Sequence, residues 1–190
     1  SVGIPLPGNK VKIINRDTME EVNTKEIGEI CISGPTVMSR YLNNREETNA
    51  IIKKHPDNIE WVHTGDLGYI DEDGVLFFLQ RLKRMIISSG YNVYPSHIEE
   101  ILQKNELVEE AGVIGIPHPY KIQVPKAYIV LKKNITDEVE AINKIKKYCE
   151  KNLSKYMIPK YFVIRKELPK TLVGKINYKE LELSLIHISE

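Results

Sequence analysis

Short runs of alternating or β-branched apolar residues dominate the first 82 residues of the chain and predict strands. The predicted strands cover residues 11–14, 29–33, 68–70 and 75–79, and the polar turn 71–74 joins the last two as a hairpin. One short helix is predicted after Asn44, because residues 45–52 place charged side chains first and apolar side chains last.

Helical periodicity appears after Arg84 and is mixed with further strands. A small hairpin is predicted around Gly90. A helix follows from Pro95, and Ser96 and Glu99 have the spacing of a capping box at its start. Further strands are predicted at residues 111–116, 127–131 and 161–164.

A second helix is predicted near residues 137–153. Four apolar residues at helical spacing form its predicted buried face: Val139, Ile142, Ile145 and Cys149. The chain therefore divides at about Lys83 into a strand-rich segment, residues 1–82, and a segment of normal domain size, residues 83–182, that mixes helices and strands. The predicted fold class is α+β.

Charge and composition exclude several classes of protein. The chain carries 27 lysines and arginines against 26 aspartates and glutamates, so its net charge of +1 gives no field that would attract nucleic acid or an anionic membrane. No apolar run approaches the length of a membrane-spanning helix. Cys31 and Cys149 form no CxxC pair, which favours a reducing, cytoplasmic location over a disulfide framework. The five histidines show no metal-ligand spacing, so no metal site is predicted.

Both ends of the sequence are unusual. The chain begins with Ser1 rather than Met, lacks the basic start and apolar core of a signal peptide, and enters at once a segment typical of a domain interior. We therefore expect a fragment of a longer protein. Residues 183–190 are typical of a translated adapter, so this segment is predicted to be a non-native tail. A native helix end is the alternative.

Three motifs carry candidate chemistry. Thr64-Gly65-Asp66-Leu67 comes first, residues 80–95 read QRLKRMIISSGYNVYP, and residues 169–175 read PKTLVGK. Taken singly, each motif is typical of a turn or of a solvated basic surface. A phosphate-binding P-loop is excluded for the last motif, because Ile176 stands where that loop has Ser or Thr.

Together with GEICISG at residues 28–34, these motifs resemble the C-terminal third of AMP-forming acyl-CoA synthetases. The same adenylate-forming superfamily includes luciferases and nonribosomal peptide adenylation domains. The resemblance spans nearly all of residues 1–182, with Arg40, Gln80 and His97 as departures from the usual pattern. It implies the strand-rich end of a large AMP-binding domain, residues 1–82, followed by a small mobile α+β C-terminal domain, residues 83–182.

The resemblance also implies roles for individual residues. Asp66 would accept hydrogen bonds from the two ribose hydroxyls of ATP, and Arg81 would contact the same ribose. Lys83 would be the hinge of the small domain. Gly90, with Ser89 beside it, would let the backbone lie against the pantetheine arm of CoA. Lys175 would be the catalytic lysine of adenylation, where its ammonium offsets the charge that builds up at the α-phosphate.

The implied activity is that of an ATP-dependent carboxylate–CoA ligase, which forms an acyl-adenylate and then an acyl-CoA thioester. We expect a long-chain fatty acid as substrate, ATP and CoA as cosubstrates, and Mg²⁺ held by residues outside this sequence. The fragment alone is expected to be inactive. Acylation of Lys175 would remove its charge, so a protein acyltransferase or deacylase is an expected partner.

Two alternatives to this activity stay open. One is an adenylation domain that loads a carrier protein; the SGYNVYP segment, residues 89–95, favours CoA ligases over it. The other is a stand-alone nucleotide-binding or regulatory module, which a gene that begins near Ser1 would favour.

Overall fold

The computed structural model of the chain describes residues 1–133 and 135–184. The chain forms two compact units, which divide between Lys83 and Arg84. Each unit has its own β-sheet, and short helices accompany both, so the fold is α+β as predicted. No helix within these described ranges is long and apolar enough to cross a membrane.

The first unit contains a five-stranded antiparallel sheet and one helix. Its elements are β1 (Lys10–Ile14), β2 (Gly28–Ser33), α1 (Arg45–Ile51), β3 (Ile52–Lys54), β4 (Glu60–Ile70) and β5 (Leu76–Arg81). The 11-residue strand β4 organises the sheet: β2 pairs along one edge, and β3 and β5 pair with opposite ends of the other edge. Helix α1 begins as predicted, because the Asn44 side chain accepts a hydrogen bond from the Glu47 N–H.

A single turn of 3₁₀-helix, Leu82–Arg84, spans the division, and Arg84 is the first residue of the second unit. Its elements are β6 (Ile86–Ser88), β7 (Tyr91–Val93), α2 (Pro95–Gln103), β8 (Val108–His118), β9 (Ile122–Leu131), α3 (Glu138–Asn152), β10 (Tyr161–Ile164) and α4 (Tyr178–Leu183). Strand β9 pairs antiparallel with β8 along its length and parallel with β10 on its other edge. Strand β6 pairs with the first residue of β9, Ile122.

Side chains on β8 and β9 alternate between two buried clusters, because successive residues of a strand face opposite sides of the sheet. On one face, Val113 and Ile129 pack with residues of α2 and α3, including Ile98 and Ile145. On the other face lie Ile114 and Tyr128 together with Leu168 and Leu181 of the C-terminal segment. The sheet is therefore covered on both faces.

Two sequence predictions in this unit are wrong. Val139, predicted to be buried, is 73% exposed, because the buried face of α3 is Ala141, Ile145 and Cys149. The predicted capping residue Ser96 is also not the N-cap of α2. The N-cap residue is Tyr94, which makes no side-chain capping bond, and Pro95 starts the helix.

Helix α4 was not predicted, and it ends at Leu183, the first residue of the predicted non-native tail. Ser184 follows it, and its hydroxyl lies 3.2 Å from the Tyr128 hydroxyl. Residues 185–190 of the predicted tail lie outside the described residues.

The Glu99 side chain is part of a buried network. Its Oε1 accepts hydrogen bonds from Arg84 Nη2 at 2.6 Å and from the Val113 N–H at 2.8 Å. The Arg84 guanidinium also lies 3.5 Å from the centre of the Tyr178 ring. Burial, followed by the charge of Glu99, raises the pKa of Tyr178. The network ties the first residue of this unit to α2, β8 and α4.

We expect Glu99→Ala to destabilise the second unit by about 2 kcal/mol, because it leaves Arg84 and the Val113 N–H without their carboxylate. Hydrogen exchange of the β8 and β9 amides measures the change. Glu100→Ala is the matched control, since Glu100 forms an exposed i,i+4 pair with Lys104. Equal protection of the β8 and β9 amides against exchange in both variants would show that the network does not stabilise the unit.

Candidate active site

Asp66 and Arg81 lie opposite each other on neighbouring strands of the first sheet. They are register partners on β4 and β5, and Arg81 Nε lies 3.0 Å from Asp66 Oδ1. A β-bulge creates this pairing. Beyond it, Gly68 faces Phe78, and an unbroken register would bring Gln80, not Arg81, opposite Asp66. The bulge thus aligns the two residues that the sequence motifs indicated.

The Asp66 carboxylate is partly desolvated and incompletely hydrogen-bonded. Its side chain is 23% exposed, whereas that of Arg81 is 65% exposed. Arg81 Nε is near enough to Asp66 Oδ1 for a hydrogen bond, but its N–H does not point at the oxygen. The buried Oδ1 atom therefore has no hydrogen bond. Burial raises the pKa of Asp66, the charge of Arg81 opposes that rise, and Glu29 adds to it. A ligand that donates hydroxyl hydrogen bonds would satisfy this carboxylate.

Glu29 and Thr64 hold the backbone that carries Asp66. Glu29 Oε1 accepts a hydrogen bond from the Gly65 N–H at 3.1 Å. Thr64 Oγ1 donates to the Ile30 carbonyl at 2.8 Å and accepts from the Asp66 N–H at 3.1 Å. Gly65 has φ +68°, a conformation that suits glycine. The motifs indicated no positioning role for Glu29, although the GE pair at Gly28 and Glu29 belongs to the segment that carried the resemblance.

A cavity of about 550 Å³ lies beside this segment in the first unit. Thr64, Gly65, Arg81 and Lys83 contribute to its lining. Its volume falls within the usual range of small-molecule sites. Lys83 is exposed in the 3₁₀ turn and is the last residue of the unit.

Ser89 and Gly90 form the two-residue turn between β6 and β7. Both have positive φ, +53° and +83°, as a type I′ hairpin turn requires. A Cβ added at Gly90 would meet no atom within 4 Å. The requirement for glycine within this unit therefore comes from the backbone conformation and not from a close neighbour.

Lys175 closes a small loop of the second unit. Its carbonyl accepts a hydrogen bond from the Thr171 N–H at 2.7 Å, and its N–H donates to Thr171 Oγ1 at 3.2 Å. Gly174, with φ +78°, reverses the chain just before it. An ion pair between Lys170 and Glu110 of β8 anchors the loop. The backbone of Lys175 is thus fixed while its side chain is exposed.

The structure places the predicted site residues in three groups. Asp66 and Arg81 are in contact, and Lys83 follows them at the end of the same unit. The hairpin turn of Ser89 and Gly90 and the loop of Lys175 belong to the second unit.

Comparison with known proteins defines the class. Residues 1–42 match the family model of the AMP-binding enzyme, and residues 97–175 match that of the AMP-binding enzyme C-terminal domain. The chain belongs to these adenylate-forming enzymes and represents their C-terminal part, as the motifs predicted.

Individual relatives agree with this membership. The chain is 39% identical over 181 residues to a long-chain-fatty-acid–CoA ligase of Bacillus subtilis, covering 95% of the chain and 31% of the relative. It is 41% identical over 154 residues to a 2-succinylbenzoate–CoA ligase of Bacillus cereus, covering 81% of the chain and 30% of the relative. The chain therefore spans about a third of the length of these relatives.

Solved structures show the same fold. ATP-bound MatB from Rhodopseudomonas palustris matches with a TM-score of 0.90 at 30% identity, over 100% of this chain and 36% of that one. The o-succinylbenzoate CoA synthetase of Bacillus subtilis, in complex with its acyl-adenylate intermediate, matches with a TM-score of 0.77 at 34% identity, over 94% of this chain and 34% of that one.

Proposed function

We propose that this chain is the C-terminal part of an ATP-dependent carboxylate–CoA ligase. In the first step a carboxylate oxygen of the acid attacks the α-phosphorus of ATP, and pyrophosphate leaves. In the second step the thiol of CoA loses its proton, its sulfur attacks the acyl carbon, and AMP leaves. The observation that carries the proposal is the desolvated Asp66 carboxylate, paired across the sheet with Arg81 in a member of the AMP-binding enzymes.

Asp66 and Arg81 have complementary roles in this proposal. Oδ1 of Asp66 is buried without a hydrogen bond and can accept one from a ribose hydroxyl. Arg81 lies beside it and offers further donors to the same ligand. Because the guanidinium is already 3.0 Å from the carboxylate, a cation there would be repelled, so this pair does not fit Mg²⁺. No step is assigned to a metal.

Lys175, Lys83, Ser89 and Gly90 have further roles in this proposal. Lys175 supplies an exposed ammonium on a fixed backbone, which suits the adenylation step, where charge develops at the α-phosphate. Lys83 is the pivot between the two steps. The turn of Ser89 and Gly90 faces the pantetheine arm of CoA. Modification of Lys175 by a protein acyltransferase or deacylase stays a prediction, as does the cytoplasmic location.

We expect Asp66→Asn to weaken AMP binding by the ligase that contains this chain roughly 10- to 100-fold, because hydrogen bonds to a charged acceptor are replaced by neutral ones. Calorimetric titration with AMP measures the change. Asp73→Asn is the matched control, since Asp73 lies in the exposed hairpin turn. Similar affinities in both variants would remove Asp66 from the nucleotide site.

For the substrate we propose a long-chain fatty acid, supported by the 39% identity to the Bacillus subtilis ligase over 95% of this chain. An aryl acid is the second candidate, favoured by the 41% identity to the 2-succinylbenzoate ligase over a shorter segment. Acid-dependent release of pyrophosphate should give a larger kcat/KM with hexadecanoate than with 2-succinylbenzoate. A larger kcat/KM with 2-succinylbenzoate would overturn the proposed substrate and leave the reaction class intact. No release of pyrophosphate with either acid would count against the reaction class.

A further inference from the structure

A buried cluster of three metal-ligating side chains lies in the first unit, apart from the roles proposed above. It consists of Cys31, His55 and His63, whose ligand atoms all lie within 4.8 Å of one another. The residues are 0%, 4% and 7% exposed. The sequence spacing did not reveal this cluster, because the sheet brings together residues that are 24 and 8 positions apart along the chain.

The sheet register explains why the three side chains meet. Cys31 of β2 and His63 of β4 are direct cross-strand partners, so their side chains stand on the same face of the sheet. His55 follows β3, the strand on the opposite edge of β4. Its backbone is fixed by a hydrogen bond from the His55 N–H to the Ile59 carbonyl. The ligand atoms are thus held by three neighbouring segments of one sheet.

The two histidines are arranged as metal ligands commonly are. Their Nε2 atoms are 3.0 Å apart. His63 Nδ1 donates to Glu29 Oε2 at 3.0 Å, which leaves Nε2 of His63 with a lone pair directed at the cluster. A carboxylate behind the distal ring nitrogen is the usual support of a zinc-bound histidine. The two Nε2 atoms lie at hydrogen-bond distance, and His55 Nε2 is then the donor. Metal binding would move its proton to His55 Nδ1, which is buried and has no hydrogen bond, and so free Nε2 as a ligand.

We propose that Cys31 Sγ, His55 Nε2 and His63 Nε2 bind one Zn²⁺ ion. Thiolate and imidazole are ligands that zinc prefers, at about 2.3 Å for sulfur and 2.0 Å for nitrogen. A tetrahedral ion with such bonds separates its two nitrogens by roughly 3.3 Å, close to the observed 3.0 Å. Water completes the coordination.

Charge balance supports a divalent cation at this position. Binding releases the thiol proton of Cys31, and the thiolate together with the Glu29 carboxylate offsets the two positive charges of zinc. The nearby Lys12 ammonium is already paired with Asp57 at 3.2 Å. Trp61 donates to the same Asp57 carboxylate at 2.9 Å and packs near His55. The ion would be shielded from solvent and would stabilise the sheet.

The site has a consequence for the nucleotide segment. Glu29 contacts His63 through Oε2 and the Gly65 N–H through Oε1. Zinc would therefore fix the same carboxylate that holds the backbone before Asp66. The bound ion would stiffen this segment, and the zinc proposal stands whether or not the ligase proposal does.

The test uses the chain itself, freed of metal with a chelator, without a histidine tag, and then given ZnCl₂. We expect one zinc per chain after gel filtration. X-ray absorption of the wild-type protein should show one sulfur at about 2.3 Å and nitrogens at about 2.0 Å. Co²⁺ in place of Zn²⁺ should give a thiolate charge-transfer band and the visible bands of a tetrahedral site.

Variants assign the ligands. Cys31→Ser and His55→Asn should each abolish the stoichiometric zinc, and Glu29→Gln should weaken binding roughly 10- to 100-fold. Cys149→Ser and His97→Asn, outside the cluster, should bind zinc as the wild type does. Folded wild-type protein without bound zinc, or zinc bound without a sulfur ligand, would overturn the proposal. The cluster would then be a hydrogen-bonded chain of Glu29, His63 and His55.

Discussion

Lys175→Ala is expected to slow acyl-adenylate formation by at least roughly 10²-fold in the ligase that contains this chain, about 3 kcal/mol of transition-state stabilisation. Attack of a carboxylate on the α-phosphate brings two anions together, and a positioned ammonium offsets the charge that develops. The loop between Thr171 and Lys175 holds the backbone, so the substitution removes the charge without releasing the loop.

Thioester formation should change little in the same variant, because the charge crowding has gone once the acyl-adenylate exists. Two single-turnover assays separate the steps, one started with ATP plus acid and one with synthetic acyl-adenylate plus CoA. Lys179→Ala, an exposed lysine on helix α4, is the matched control and should leave both rates unchanged. Equal losses in both assays would show that Lys175 acts on folding or domain docking and not on adenylation.

Lys83→Pro is expected to reduce one half-reaction by roughly 10²-fold while the other largely persists, since small errors in positioning have effects of this size. Lys83 is exposed in the 3₁₀ turn at the division between the two units. Proline fixes φ, removes the N–H and restricts Leu82 before it. A pivot that has to adopt two backbone conformations would then be held near one of them.

The same pair of single-turnover assays measures the effect. Lys83→Ala is the control, because alanine removes the charge but keeps the backbone freedom. If the alanine variant loses one step as strongly as the proline variant, the side chain is responsible and not the hinge. Unchanged rates in Lys83→Pro would exclude Lys83 as the pivot.

The strands were predictable where a strand has a clear hydrophobic pattern. β1, β2 and the second half of β9, predicted as residues 127–131, follow from their apolar and β-branched runs. The hairpin of β6 and β7 follows from the glycine between them. Val139 was assigned wrongly because helical spacing alone does not tell which face of α3 meets the sheet. Helix α4 has six residues and one fully buried side chain, Leu181, too few for a periodic pattern.

The site was predictable only as far as its motifs extend. The resemblance indicated Asp66 and Arg81, but their alignment depends on a bulge in the β4–β5 pairing that no sequence pattern signals. Glu29 accepts hydrogen bonds from the Gly65 N–H and from His63 Nδ1, which lie 36 and 34 positions away in the chain, so only the folded sheet reveals these contacts. The cluster of Cys31, His55 and His63 could not be predicted for the same reason. Metal-ligand spacing in a sequence detects only ligands that lie close together along the chain.

The measurement that tests the central claim most directly is product analysis of the ligase that contains this chain, supplied with ATP, hexadecanoate and CoA. We predict that AMP, pyrophosphate and acyl-CoA appear in equal amounts, and that without CoA the enzyme retains one equivalent of acyl-adenylate. ADP as the nucleotide product, or transfer of the acyl group to a carrier protein but not to CoA, would contradict the account.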